Sequence, residues 1–164
     1  MQKEILFRAK HEHFNELVYG SLLTTLDNKK AYIVYREEMT DNIVHIPVME
    51  ETVEQYTNTE DALQNRVFEG DFLIAMDEDG DYYLQLVGFG EEQKDFSPML
   101  IGFRIVEGVP LDLYFEDNKW EGKHAYLVEK YKIKVEKNND DDWIEYQVIG
   151  NKTENAELME LFKK

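Results

Sequence analysis

The chain has no cysteine. Disulfides and thiolate-bound zinc or iron–sulfur sites are therefore excluded, and the composition fits a reducing cytosol. Only three prolines and nine glycines occur, so low-complexity linkers are absent. No apolar run approaches the ~20 residues of a membrane span. The start, MQKEILFRAKHEHFNE, lacks the apolar core of a signal peptide. These absences predict a soluble, cytoplasmic protein with no membrane partner. Basic residues are also scarce: 18 against 35 acidic ones, a net charge of −17. Direct binding to a phosphate backbone normally needs a basic footprint, so it is disfavoured. The acid excess suits a well-solvated surface, a basic partner, or imitation of nucleic acid.

What is present points to strands. The 164 residues suffice for one ordinary domain or two small ones, and a chain of this size buries roughly 70% of its unfolded surface. Aromatic residues make up 13%, and β-branched residues crowd the apolar segments. EILFRAK reads as a short strand. ELVYGSLLTT and AYIVYRE flank LDNKK, whose Asp27-Asn28 suits a turn, and so read as a hairpin. NIVHIPV is a further strand, with Pro47 at its end or on an edge. MEETVEQYTNTEDALQN reads as holding a short helix with Glu50 and Glu51 at its N-terminus.

Two apolar runs then alternate with period two, Phe72 to Met76 and Tyr82 to Val87. Both faces are apolar, which marks central strands, and Asp79-Gly80 is a hairpin signal. MLIGFRIVEG and PLDLYFED follow as strands separated by Gly108. HAYLVEKYKIKVEK reads as one long strand with Leu127, Tyr131, Ile133 and Val135 on its apolar side. NNDDD is a loop and WIEYQVIG a strand. Ala156, Leu158, Met159, Leu161 and Phe162 line one side of a short closing helix, with Asn155 as N-cap. The count gives an all-β class with short helices.

Candidate chemistry is thin. Asp77, Asp79 and Asp81 have the spacing of the first three ligands of a calcium loop. However, Gly80 falls at position four, Tyr82 stands where glycine is needed, and Gly88 replaces the closing glutamate. The segment reads as an acidic hairpin tip, which also discourages edge association. His11 and His13 flank Glu12 in a polar stretch, while His45 and His124 are lone histidines. Asp140, Asp141 and Asp142 form a solvated charge run. No phosphate-cradling glycine loop and no nucleophile elbow occurs. The expectation is no catalytic residue, no metal ligand and no cofactor. Tyr82, Tyr83, Tyr114, Trp120, Tyr126 and Trp143 suit either a core or an interface.

An ordered set of motifs is more informative. ILFRAK and LVYG come early, EETVEQYT precedes VFEGDFL, and VIGNKTENAEL closes the chain. Together these resemble the YopX family of phage and prophage proteins, over nearly the whole chain. Glu54 stands where that family's pattern has glycine, TNTEDALQNR replaces a glycine-containing bridge, and Ala156 replaces a proline. The resemblance implies a β-rich fold with a small SH3-like barrel, additional strands and a short C-terminal helix. It also implies one unit over 1–164, or a subdivision into an N-terminal β segment at 1–57 and a barrel-containing segment at 58–164. It carries over no catalytic residue. Tyr56, Glu69, Gly70, Asp71, Gly150 and Asn151 match its motifs and are expected to make fold-specific contacts, Gly70 through a positive φ or a close backbone approach.

The functional expectation is a non-enzymatic protein acting by protein–protein contact, as a homo-oligomer or with a host or phage protein. A nucleic-acid mimic blocking a host DNA-binding protein and a metal-assisted hydrolase are the alternatives. Nucleic-acid binding by an SH3-like barrel would rest on fold analogy alone.

Overall fold

The computed structural model describes residues 5–25, 30–77, 79–88, 104–134 and 146–163. The chain divides into two compact units, Met1–Asn58 and Thr59–Lys164. Both are built on antiparallel sheets with short helical pieces, so the protein is all-β.

The first unit contains β1 (Phe7–Lys10), β2 (Leu17–Thr24), β3 (Ala31–Arg36) and β4 (Ile43–Val48). One 3-10 turn, Glu50–Thr52, leads into β5 (Glu54–Glu60), which runs on past the division. Hydrogen-bonded order is β4-β3-β2-β1-β5. Pairings Ala9↔Val18, Leu22↔Ile33, Ile33↔Ile46 and Ala31↔Val48 put the small and branched residues on one face, where they form the buried core. The predicted hairpin from β2 to β3 is present; its Asp27-Asn28 turn lies outside the described residues. Pro47 sits on β4, the outermost strand of the order, the kind of place where a proline is tolerated. Past β1 the chain also meets β4: His11 bridges Val48, Met49 N–H donates to Lys10 O at 2.9 Å, and Glu12 N–H donates to Pro47 O at 3.0 Å.

The helix expected within 49–65 is reduced to that single 3-10 turn, with Glu50 and Glu51 in it. The remainder forms β5, paired with β1 through Phe7↔Gln55 and Arg8↔Glu54. Glu54, Tyr56 and Thr57 are its buried residues. Period two was masked because polar side chains occupy the inward positions.

The second unit opens with β6 (Arg66–Phe68) and continues with β7 (Asp71–Met76), β8 (Tyr82–Gly88) and β9 (Arg104–Leu111). A small hairpin, β10 (Tyr114–Glu116) with β11 (Lys119–Glu121), precedes helix α1 (Tyr126–Tyr131). Strand β12 (Tyr146–Asn151) and a 3-10 helix, Ala156–Phe162, end the chain. The main sheet has the order β12-β7-β8-β9 and, among the described residues, is open. Strand β7 is buried on both faces, as its sequence indicates. Phe72, Ile74 and Met76 meet Tyr82, Leu84, Leu127 and Leu158 on one side, and Leu73 meets Val67, Val87 and Ile105 on the other.

Three further expectations are corrected. The long strand through 124–137 is instead α1 up to Tyr131, ended by Lys132 in the left-handed conformation; residues 135–137 lie outside the described set. His124, Leu127, Val128 and Tyr131 follow the i, i+3, i+4, i+7 pattern of a helix face, which alternation had hidden. Strand β9 does not break at Gly108 but passes through it to pair Pro110 with Tyr83. As the outermost strand it tolerates the proline. The closing helix is 3-10, with Leu158 buried and Ala156 exposed. Asn155 makes no side-chain cap; its Oδ1 accepts the Asn151 N–H at 3.1 Å instead. The NNDDD loop and residues 143–145 of the predicted last strand lie outside the described residues.

Candidate functional site

The densest set of sequence-singled residues lies where β6 hands over to β7. Gly70 turns the chain with φ +80°, a conformation open to glycine without penalty. Its N–H donates to Val87 O at 2.8 Å and its carbonyl accepts the Lys152 N–H at 2.9 Å. Asp71 is completely buried, and its Oδ2 accepts the Phe68 N–H at 2.7 Å across the turn. Glu69, between them in sequence, is half-buried.

Strand β12 brings the distant half of the motif to this corner, because Asn151 pairs with Asp71 and Gly150 with Phe72. Asn151 is buried; its Oδ1 accepts the N–H groups of Thr153 at 3.0 Å and Glu154 at 2.9 Å. A Cβ on Gly150 would lie 2.7 Å from Asn155 Cγ, and closer still to its Oδ1. Glu69, Gly70, Asp71, Gly150 and Asn151 therefore come together in the second unit. Tyr56 belongs to the first, buried on β5 with its N–H donating to Leu6 O at 2.8 Å. At this corner the polar groups hold backbone in place, the arrangement expected when buried donors and acceptors must be satisfied.

Two buried charges were not singled out as candidates. Asp61 accepts four hydrogen bonds, from Leu63 N–H, Asn65 N–H, Asn65 Nδ2 and Val148 N–H, at 2.8 to 2.9 Å. It fixes the glycine-free bridge onto β12, while Gln64 supplies a left-handed turn at φ +65°. Burial, and then the Asp61 charge, push the Tyr146 hydroxyl above its ordinary value; it donates to Glu60 O at 2.9 Å. The signal in sequence was Asp61 followed by Asn65, a pair able to close a loop on its own backbone. Glu54, the departure from the family's glycine, is fully buried and bonded to Arg8 Nε at 2.7 Å.

The acidic tip joins β7 to β8 as a hairpin turn. Asp77 Oδ1 accepts the N–H groups of Asp79 at 3.0 Å and Asp81 at 2.9 Å, with Gly80 at φ +89°. Hydrogen bonding to Asp77, with burial second, raises the Tyr83 pKa. His11 Nδ1 accepts the N–H groups of His13 at 2.9 Å and Phe14 at 3.3 Å. His124 Nδ1 accepts the Asp112 N–H at 2.8 Å, and His45 stands exposed on β4. Among the described residues no group of three acidic or histidine side chains is placed to hold a metal; Asp140, Asp141, Asp142 and Trp143 lie outside them. Of the aromatic candidates, Tyr82 is in the core, Tyr83 and Trp120 are half-buried, and Tyr114 and Tyr126 are exposed.

Residues about 80 positions apart in sequence thus meet at one corner, through the pairing of Asn151 with Asp71. A family model described as YopX protein matches residues 6–160. The chain belongs to the YopX family. No curated protein and no solved structure matches it. Glu69–Asp71 and Gly150–Asn151, the two sides of the corner just described, lie within the matched residues. No helix among the described residues is long and apolar enough to cross a membrane.

Proposed function

We propose that this YopX protein is a non-enzymatic, phage- or prophage-encoded protein that works in the bacterial cytoplasm by contact with other protein chains, first of all copies of itself. The observation that carries this reading is the second face of the β2-β3-β4 sheet. Leu23, Tyr32 and Pro47 form one cross-strand row on it, Ser21, Val34 and His45 the next, and Arg36 with Ile43 the last. Tyr19 lies on the same face by period two. Leu23, Tyr19 and Ile43 are 47%, 48% and 63% exposed. Exposed Tyr19, Leu23 and Ile43 on one sheet face make a contact surface that water does not favour. Burying them against a second copy removes that cost.

The SH3-like barrel implied by the family is, in this reading, the first unit rather than the second. Support comes from the strand order β4-β3-β2-β1-β5, the one-turn 3-10 helix between β4 and β5, and the His11↔Val48 bridge. The motif corner is architectural, since its carboxylate and amide oxygens are engaged by backbone N–H groups. Sedimentation velocity over a concentration series tests the proposal. A species larger than the monomer should form, and Leu23→Glu combined with Ile43→Glu should return it to monomer. A wild-type chain that stays monomeric throughout the micromolar range would sink self-assembly.

A further inference from the structure

The β10–β11 hairpin of the second unit shows apolar rings to solvent on both of its faces. Tyr114 is 45% and Phe115 55% exposed. As neighbours on one strand they point to opposite sides of the ribbon. On one side Phe115 lies opposite Trp120, their ring centroids 5.2 Å apart. Trp120 in turn meets the buried Tyr82 edge-on at 5.3 Å, which anchors the ribbon to the core. On the other side Tyr114 lies opposite Glu121, and Glu116 opposite Lys119.

The ribbon is held rigidly. Asp117 and Asn118 have φ of +49° and +61°, the left-handed pair of a two-residue hairpin turn. At its base, Asp112 N–H donates to His124 Nδ1 at 2.8 Å and His124 N–H donates to Asp112 O at 3.0 Å. Charge on the ribbon is one-sided. Glu116, Asp117 and Glu121 face a single cation, Lys119, already ion-paired with Glu121. The second unit as a whole carries 25 of the chain's 35 acidic residues.

We infer that this hairpin is a docking arm for an arginine-rich segment of a partner protein. The inference rests on the non-enzymatic reading above and supplies the chemistry of a second kind of partner. A guanidinium stacks on an aromatic face and pairs with carboxylates through its planar fork. A tyrosine between two glutamates offers both at once, and the acid excess steers a basic chain toward it. Cross-strand pairing with Trp120 accounts for Phe115 alone. It leaves Tyr114, on the opposite face, without a structural reason to be a half-exposed ring among carboxylates. The same acid excess disfavours a second copy of this chain as the occupant.

The test uses the full chain and fluorescently labelled octa-arginine and octa-lysine peptides, read by anisotropy at rising salt. Octa-arginine should bind several-fold tighter than octa-lysine. Tyr114→Ala combined with Phe115→Ala should weaken it about tenfold, on the scale of exposed cation–π contacts, and Glu116→Gln alone about threefold, on the scale of an exposed ion pair. Asp79→Asn combined with Asp81→Asn, at the β7–β8 tip, should bind as wild type. Equal binding by the ring variant, or an equal loss in the tip variant, would mean bulk electrostatics and would overturn the arm. Glu116→Gln is a single exposed change that keeps the test open if the ring variant misfolds. A chain that ignores octa-arginine yet self-associates overturns the arm and leaves the proposal for the first unit standing. Sedimentation of Tyr114→Ala/Phe115→Ala should match wild type, since the arm lies outside that surface.

Discussion

Gly150→Ala should destabilise the second unit by about 2–4 kcal/mol, through a collision with one identifiable side chain. The new Cβ would stand 2.7 Å from Asn155 Cγ and 3.2 Å from Asn155 Cβ. Asn155 would have to leave, and its Oδ1 is the acceptor for the Asn151 N–H at 3.1 Å. Overpacking of this kind costs about 1–3 kcal/mol, and losing the hydrogen bond adds about 1 kcal/mol. Asn155→Ala alone should cost only about 1 kcal/mol. In the double variant most of the collision is gone, so its cost should fall about 2 kcal/mol below the sum of the singles. Urea unfolding followed by tryptophan fluorescence reads this directly, because Trp120 packs edge-on against Tyr82 of the core in the second unit. The comparison requires an unchanged m value. Costs that add within about 0.5 kcal/mol would refute the reasoning, since they would mean the two positions do not share space.

The Arg8–Glu54 pair is buried on both sides, so Glu54→Ala should cost about 3–5 kcal/mol by removing the carboxylate partner of a buried guanidinium. Glu54→Met combined with Arg8→Met should be less damaging than Glu54→Ala; amide hydrogen exchange on β1 and β5 reports it, and a double variant as unstable as the single would contradict the account. Glu157 accepts hydrogen bonds from Lys130 at 3.0 Å and Tyr131 at 2.8 Å, and these contacts, Lys130 first, lower its pKa to about 2. A carboxylate depressed in the folded state adds stability that is present above its unfolded value and is lost as pH falls toward about 2. The Glu157 carboxyl resonance should therefore titrate near pH 2, and Lys130→Met should raise its midpoint; a midpoint at the ordinary glutamate value in the wild type would remove the contact from solution.

The hairpin of β7 and β8 was legible because two short apolar runs flank Asp79-Gly80, which supplies the turn. The acidic character, the all-β class and the family motifs were equally plain in the residues. Strand β5 was not legible as one, because Glu54, Tyr56 and Thr57, none of them aliphatic, are its buried residues. An inward glutamate looks like a surface residue until its arginine, 46 positions away, is known.

By itself the sequence determined what local rules can determine: which segments favour extended backbone, that the chain turns at Gly70 and at Asp79-Gly80, and that acidic residues outnumber basic ones. Tertiary structure decided the rest. It made 126–131 a helix because Leu127 and Ile133 have a sheet face to bury against. It set Asp71 opposite Asn151, and brought Asp61 to Val148 from 87 residues away. Those outcomes depend on burial and on the partners of buried polar groups, and both are properties of the folded chain rather than of any stretch of it.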